Sequence, residues 1–90
     1  MRRAPRVDRN QAAIIGYLRM HGVDVASLAG MGSGIPDLVC AYHGYTWLVE
    51  VKMPGGKLTA DQVRFHANWC GEICIVESEA DVDAMMEDFK

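Results

Sequence analysis

Apolar positions along this chain follow two rhythms. In residues 8–21, Ile14, Ile15 and Leu18 form one stripe at helical spacing, and Gly22 is placed to end the helix. Near the end of the chain, Val82, Met85, Met86 and Phe89 recur at i, i+3, i+4 and i+7, with Ser78 ahead of them as a cap. A third helix is predicted over residues 59–70, opened by Thr59 and stopped by Gly71. Elsewhere the pattern is that of strands. Residues 36–42 and 45–52 are the clearest, and His43-Gly44 between them is a workable hairpin turn because Gly44 tolerates positive φ. Residues 23–29 predict a further strand, and "EICIVE" (72–77) a short buried one. Two segments, "GMGSG" (30–34) and "MPGGK" (53–57), have no rhythm and read as loops.

The resulting order is α-β-β-β-α-β-α. The step from the 45–52 strand through a helix to "EICIVE" is a βαβ unit, which is right-handed with parallel strands. The hairpin ahead of it is antiparallel. The expected architecture is therefore α/β, a mixed sheet flanked by helices on both faces.

Composition adds bounds. Ninety residues fit one domain, residues 1–90. A chain of this size buries only about 60–65% of its unfolded surface, so a partner subunit would help it. No apolar run reaches the ~20 residues of a membrane span. No apolar signal core follows the basic start "MRRAPRVDRN", which predicts a cytoplasmic protein, with a bacterial or phage source. Cys40, Cys70 and Cys74 lack framework spacing and are expected to be reduced. The formal net charge of −3 counts against a nucleic-acid partner. Against that, Arg2, Arg3, Arg6 and Arg9 cluster near the N-terminus, and carboxylates that hold a cation no longer repel phosphate.

The hairpin "IPDLVCAYHGYTWLVEVK" (35–52) carries the chemistry. With the loop centred on His43-Gly44, Tyr42 pairs with Tyr45 and Asp37 falls opposite Glu50. Opposite residues share a face, with Cβ atoms roughly 4.5–5.5 Å apart. Lys52, two residues beyond Glu50, points the same way. Two carboxylates about 5 Å apart repel by about 3 kcal/mol at an effective dielectric near 20. Lys52 offsets part of this and a divalent cation would offset more. Carboxylate oxygens, joined by the Val51 backbone carbonyl, form an oxygen set that suits Mg²⁺ or Mn²⁺ and fits Zn²⁺ poorly. A lysine beside such a cation can orient water or stabilise charge on a phosphoryl oxygen, which points to metal-assisted phosphodiester hydrolysis. The plain alternative is a strand start at Asp37 and a solvated Glu50–Lys52 pair. Val39 and Leu48 on the same face are apolar, so the face is expected to be covered, which favours the functional reading.

These residues match a known pattern. "GIPDLV" followed by "VEVK" resembles the PD-(D/E)XK nuclease signature in Pro36-Asp37 and Glu50-Val51-Lys52. The continuation, "EVKMPGGKLTADQVRFHANWCGEICIVES", resembles the VRR-NUC (virus-type replication-repair nuclease) branch, with its glycine/lysine loop, Ser/Thr-x-x-Gln helix start, glycine, short strand and last helix. The resemblance implies a restriction-endonuclease-like α-β-β-β-α-β core. It implies that Asp37 and Glu50 bind Mg²⁺ or Mn²⁺, that Lys52 is the catalytic lysine, and that Gln62 is an active-site residue. A Glu-x-x-Gln pattern on the first helix has its nearest match in Asp8 to Gln11, which makes Asp8 a further candidate ligand. Small stand-alone members look like homodimeric Holliday-junction resolvases of phage and bacterial DNA repair.

Each candidate has another reading. Gln62 fits a capping box with Thr59, and this role is compatible with facing a ligand. Asp8 and Gln11 have the same spacing, and capping is the expectation there. His66, Cys70 and Cys74 make a poor zinc set and read as packing residues. Phe65 and Trp69 read as core or dimer contacts rather than base-stacking residues. Lys57, Arg2, Arg3 and Arg6 are candidate phosphate contacts, with solvated charge as the alternative. The expectation is a divalent-metal-dependent endonuclease acting as a homodimer on branched or four-way-junction DNA. The alternative is a non-catalytic junction-binding or dimerisation module that retains the fold.

Overall fold

The computed structural model describes residues 8–89, so Arg2, Arg3 and Arg6 lie outside the described residues. The element order is α1 (Gln11–Met20), β1 (Asp24–Ser27), β2 (Leu38–Tyr42), β3 (Tyr45–Val51), α2 (Ala60–Asn68), β4 (Ile73–Val76) and α3 (Glu79–Met86), with a 3₁₀ turn at Glu87–Phe89. All seven expected elements are present in the expected order. The differences are at their ends, where chain pairing stops before the apolar pattern does.

The four strands form one sheet in the order β1-β2-β3-β4. β1 and β3 flank β2 antiparallel, while β4 lies parallel to β3. Tyr42 pairs with Tyr45 and Leu38 with Val49. His43 and Gly44 have φ of 48° and 85°, so both central turn residues are left-handed, as a tight hairpin of primed type requires.

Leu38 and Cys40 of β2, Trp47, Val49 and Val51 of β3, and Val76 of β4 share one face. They pack with Ile14 and Leu18 of α1 and Val82 and Met86 of α3 into the core. The i, i+3, i+4, i+7 stripe behaves as expected. Val82 and Met86 are buried, and Met85 and Phe89 lie against the cluster. Tyr17 Oη also donates to Asp83 Oδ1 at 2.7 Å, tying α1 to α3. The buried Cys40 thiol is pushed up to about 12, chiefly by burial, so it is a packing group rather than a nucleophile.

The opposite face corrects one expectation. It carries Val39, Leu48 and Glu50, and α2 lies over it without burying any residue of its own. Val39 and Leu48 stay half-buried. Cover is therefore local, concentrated where α2 begins. Two contacts hold that start. Thr59 caps the helix through a capping box with Gln62. Gly34, at φ of 77°, sits so close that a Cβ there would lie 2.2 Å from the Asp61 carbonyl oxygen. The glycine-rich loop is thus a seat for α2, and only glycine fits that contact.

Candidate active site

Three segments converge at the C-terminal end of β3. Asp37 is one residue before Leu38 and Glu50 one residue after Val49, so continuing the ladder sets them opposite. The Asp37 carboxylate turns onto the strand end, where Val51 N donates to its Oδ2 at 2.8 Å. Glu50 is only 1% exposed, which goes against the plain alternative of a solvated Glu50–Lys52 pair.

α2 supplies the partners of Glu50. Gln62 Nε2 donates to Glu50 Oε2 at 3.3 Å, while its own Oε1 accepts from Thr59 N at 2.9 Å. The cap and the contact with the carboxylate therefore coexist in one side chain. One turn later, His66 Nε2 stands 3.5 Å from Glu50 Oε1. Both oxygens of Glu50 face α2, each toward a different residue.

Sequence reasoning missed His66. It paired the histidine with Cys70 and Cys74, following the i, i+4 spacing down the helix. The same spacing runs upward from His66 to Gln62, and that was the usable signal. In the structure Cys70 is exposed and Cys74 half-buried, and His66 points at Glu50 instead.

The electrostatics are those of a crowded carboxylate. Glu50 is pushed up from 4.5 to about 8, first by burial, then by hydrogen bonding and repulsion from Asp37. Lys52 acts the other way and Asp8 adds to the upward push, so both charges are felt at Glu50. His66 is lowered, chiefly by burial and then by the Lys52 charge.

The start of α1 also meets this end of the sheet. Asn10 Nδ2 donates to the carbonyls of Lys52 and Glu77, each at 3.0 Å. Among the described residues, Asn10 Oδ1 and Gln11 Oε1 are buried without a hydrogen-bond partner. The capping expectation for Asp8 is corrected. The N-cap of α1 is Asn10, with no side-chain cap bond, and Asp8 accepts from Gln11 N through its backbone carbonyl at 3.0 Å. Lys57 is exposed on the loop after β3.

A cavity of about 210 Å³ opens beside the carboxylates, lined by Gly30, Gly32, Gly34, Asp37, Thr59 and Gln62. Among the described residues, no three His, Cys, Asp or Glu side chains stand close enough to form a metal cluster by themselves. The donor set still fits a hard cation: the carboxyl groups of Asp37 and Glu50 are close enough that repulsion between them helps to raise Glu50, and a divalent cation would relieve that repulsion. No described helix is long and apolar enough to cross a membrane.

Comparison with known proteins gives one informative likeness. No family profile matches the chain, and no curated protein does. A solved structure described as a VRR_NUC domain is similar to it at 27% sequence identity and a TM-score of 0.75, covering 92% of this chain and 100% of that one. A mixed four-stranded sheet with three helices is the arrangement of that fold and is consistent with a restriction-endonuclease-like core. Motif order and three-dimensional likeness thus lead to the same group: the chain has the fold of a VRR-NUC domain and is similar to it in sequence, which points to a nuclease domain.

Proposed function

We propose that the chain is a Mg²⁺- or Mn²⁺-dependent endonuclease that hydrolyses phosphodiester bonds in DNA. One observation carries the reading: Asp37 and Glu50 meet at the end of β3, and α2 presents Gln62 and His66 to the buried Glu50. Asp37, Glu50 and the Val51 carbonyl would hold the cation, with Asp8 as a further candidate. Such a cation supplies Lewis acidity toward a phosphoryl oxygen and a lowered pKa for water.

The chain's own residues do the rest. Lys52 places a positive charge in the same electrostatic neighbourhood, where it can stabilise charge developing on the phosphate. Gln62 and His66 fix the direction of the Glu50 carboxylate from consecutive turns of one helix, as groups behind metal ligands commonly do. The glycine-rich wall of the cavity leaves room for a DNA backbone to approach. Lys57 and the N-terminal arginines Arg2, Arg3 and Arg6 are candidate phosphate contacts.

Branched DNA, with two strands to cut, calls for two sites, and a homodimer supplies them. Support for self-association comes from the edge strand β4, where Ile75 is 48% exposed, and from Val63 of α2, 52% exposed. Cleavage of linear, flap and four-way-junction DNA in Mg²⁺ and in Mn²⁺ tests the reading. Cutting that stops with chelator and falls at least roughly 100-fold in Lys52→Ala supports it. Junction binding without cutting, unaffected by metal, supports a non-catalytic module instead.

A further inference from the structure

We propose that the stacked pair Phe65 and Trp69 on the flank of α2 is a platform for an unpaired DNA base beside the cleavage site. The inference rests on the nuclease reading and sharpens its substrate class: DNA with unpaired nucleotides at the cut, rather than continuous duplex.

Phe65 and Trp69 are one helical turn apart, with ring centroids 5.2 Å apart and planes 19° from parallel. Trp69 is 46% exposed, so it is not the core residue its type predicts. Its position is held from two further directions. Its backbone N–H donates to the Phe65 carbonyl at 3.0 Å. A Cβ on Gly71 would fall 2.6 Å from its Nε1, so the indole edge lies close against the chain at Gly71. The outcome is a flat aromatic surface that is ordered before any ligand arrives, which lowers the entropic cost of stacking.

The surroundings favour a nucleotide over a protein partner. The platform lines a hollow of about 440 Å³ with Ser33, Asp61, Arg64 and Asn68. That size suits a nucleotide-sized ligand. A stable protein contact buries roughly 800 Å² per partner and wants a broader apolar area. The rim offers a guanidinium, Arg64, for phosphate, currently paired with Asp61, and an amide, Asn68, for a base edge. The hollow also adjoins the carboxylate cavity. Gly32 and Gly34 line that cavity while Ser33 between them lines the hollow, and Gln62 and its neighbour Asp61 divide in the same way. The two spaces are separated by the contact of Gly34 with the Asp61–Gln62 peptide.

The two tryptophans make the test direct, because Trp47 is 3% exposed and Trp69 46%. The full chain is titrated in chelator, so that nothing is cut, with a ten-nucleotide single strand of thymidines, a flap duplex and a blunt duplex. Binding is followed by anisotropy and by tryptophan fluorescence. The expected result is quenching by the single strand and the flap, lost in Trp69→Ala. That variant also loses roughly 5- to 100-fold in affinity for those two probes and less than about twofold for blunt duplex. Trp69→Phe restores most of the affinity, and circular dichroism melting checks that both variants fold. Bound DNA that leaves the fluorescence unchanged, an equal loss on all three probes, or a drop in mass by light scattering in Trp69→Ala would overturn the platform. None of these touches the nuclease reading, which fails separately if the chain neither binds nor cuts any DNA.

Discussion

Glu50 concentrates the physics of the site at the scale of one residue. A buried carboxylate with a second carboxylate opposite prefers its proton, and here it is held up to about 8 against an ordinary 4.5. The sign of the pH effect follows. Below about 4.5 the group is protonated whether the chain is folded or not. Between 4.5 and 8 the unfolded chain ionises while the folded one holds its proton, so stability falls as pH rises, and it levels off above. Thermal melting of metal-free protein should show this decline, and Glu50→Gln should remove it. Equal slopes for parent and variant would mean that Glu50 is not perturbed. Added Mn²⁺ should recover stability most at the alkaline end, since the cation replaces the proton. His66 makes a separate prediction. His66→Ala should weaken Mn²⁺ binding by roughly 10- to 100-fold in calorimetry, while melting of the metal-free chain changes little. An unchanged Mn²⁺ isotherm would reduce His66 to a packing residue.

At the scale of elements, the site depends on how α2 is seated. The helix buries none of its residues, so its position rests on the Gly34 contact at its start and on the contacts of Gln62 and His66 with Glu50, while the Thr59–Gln62 box fixes where it begins. Gly34→Ala puts a Cβ 2.2 Å from the Asp61 carbonyl oxygen at a backbone φ of 77°. It should cost roughly 1–3 kcal/mol in denaturant unfolding and weaken Mn²⁺ binding with it, because Gln62 and His66 move with the helix. Gly32→Ala is the control, since it has the same sign of φ and nothing within 4 Å. If both variants behave alike, the loop does not seat α2. The elements themselves were legible in the chain, because stripes such as Val82-Met86 and the His43-Gly44 turn are local signals. Their ends were harder. Residues 21–23 and 28–37 complete turns and loops whose hydrogen bonds, such as Leu28 N to the Asp37 carbonyl at 2.7 Å, join positions with no shared rhythm. The seating of α2 was not legible at all, since no periodicity announces that the loop glycine Gly34 meets the start of a helix at Asp61.

For the molecule as a whole, the hairpin register made the meeting of Asp37 and Glu50 readable from arithmetic, since a tight turn leaves little freedom in pairing. The neighbours supplied by α2 depend instead on the helix crossing angle, which is why Gln62 was reached through resemblance and His66 was missed. The formal charge of −3 also has a consequence. DNA affinity should weaken with salt only as steeply as a few phosphate contacts allow, and filter binding across 50–200 mM salt measures that slope. Light scattering at micromolar concentration tests the homodimer, with a monomer mass as the contrary result. The most direct test of the central claim is a crystal structure of the protein with Mn²⁺, located by anomalous scattering. The account predicts a peak shared by the carboxylates of Asp37 and Glu50. At saturating Mn²⁺, a peak elsewhere, or none between those two residues, would contradict it.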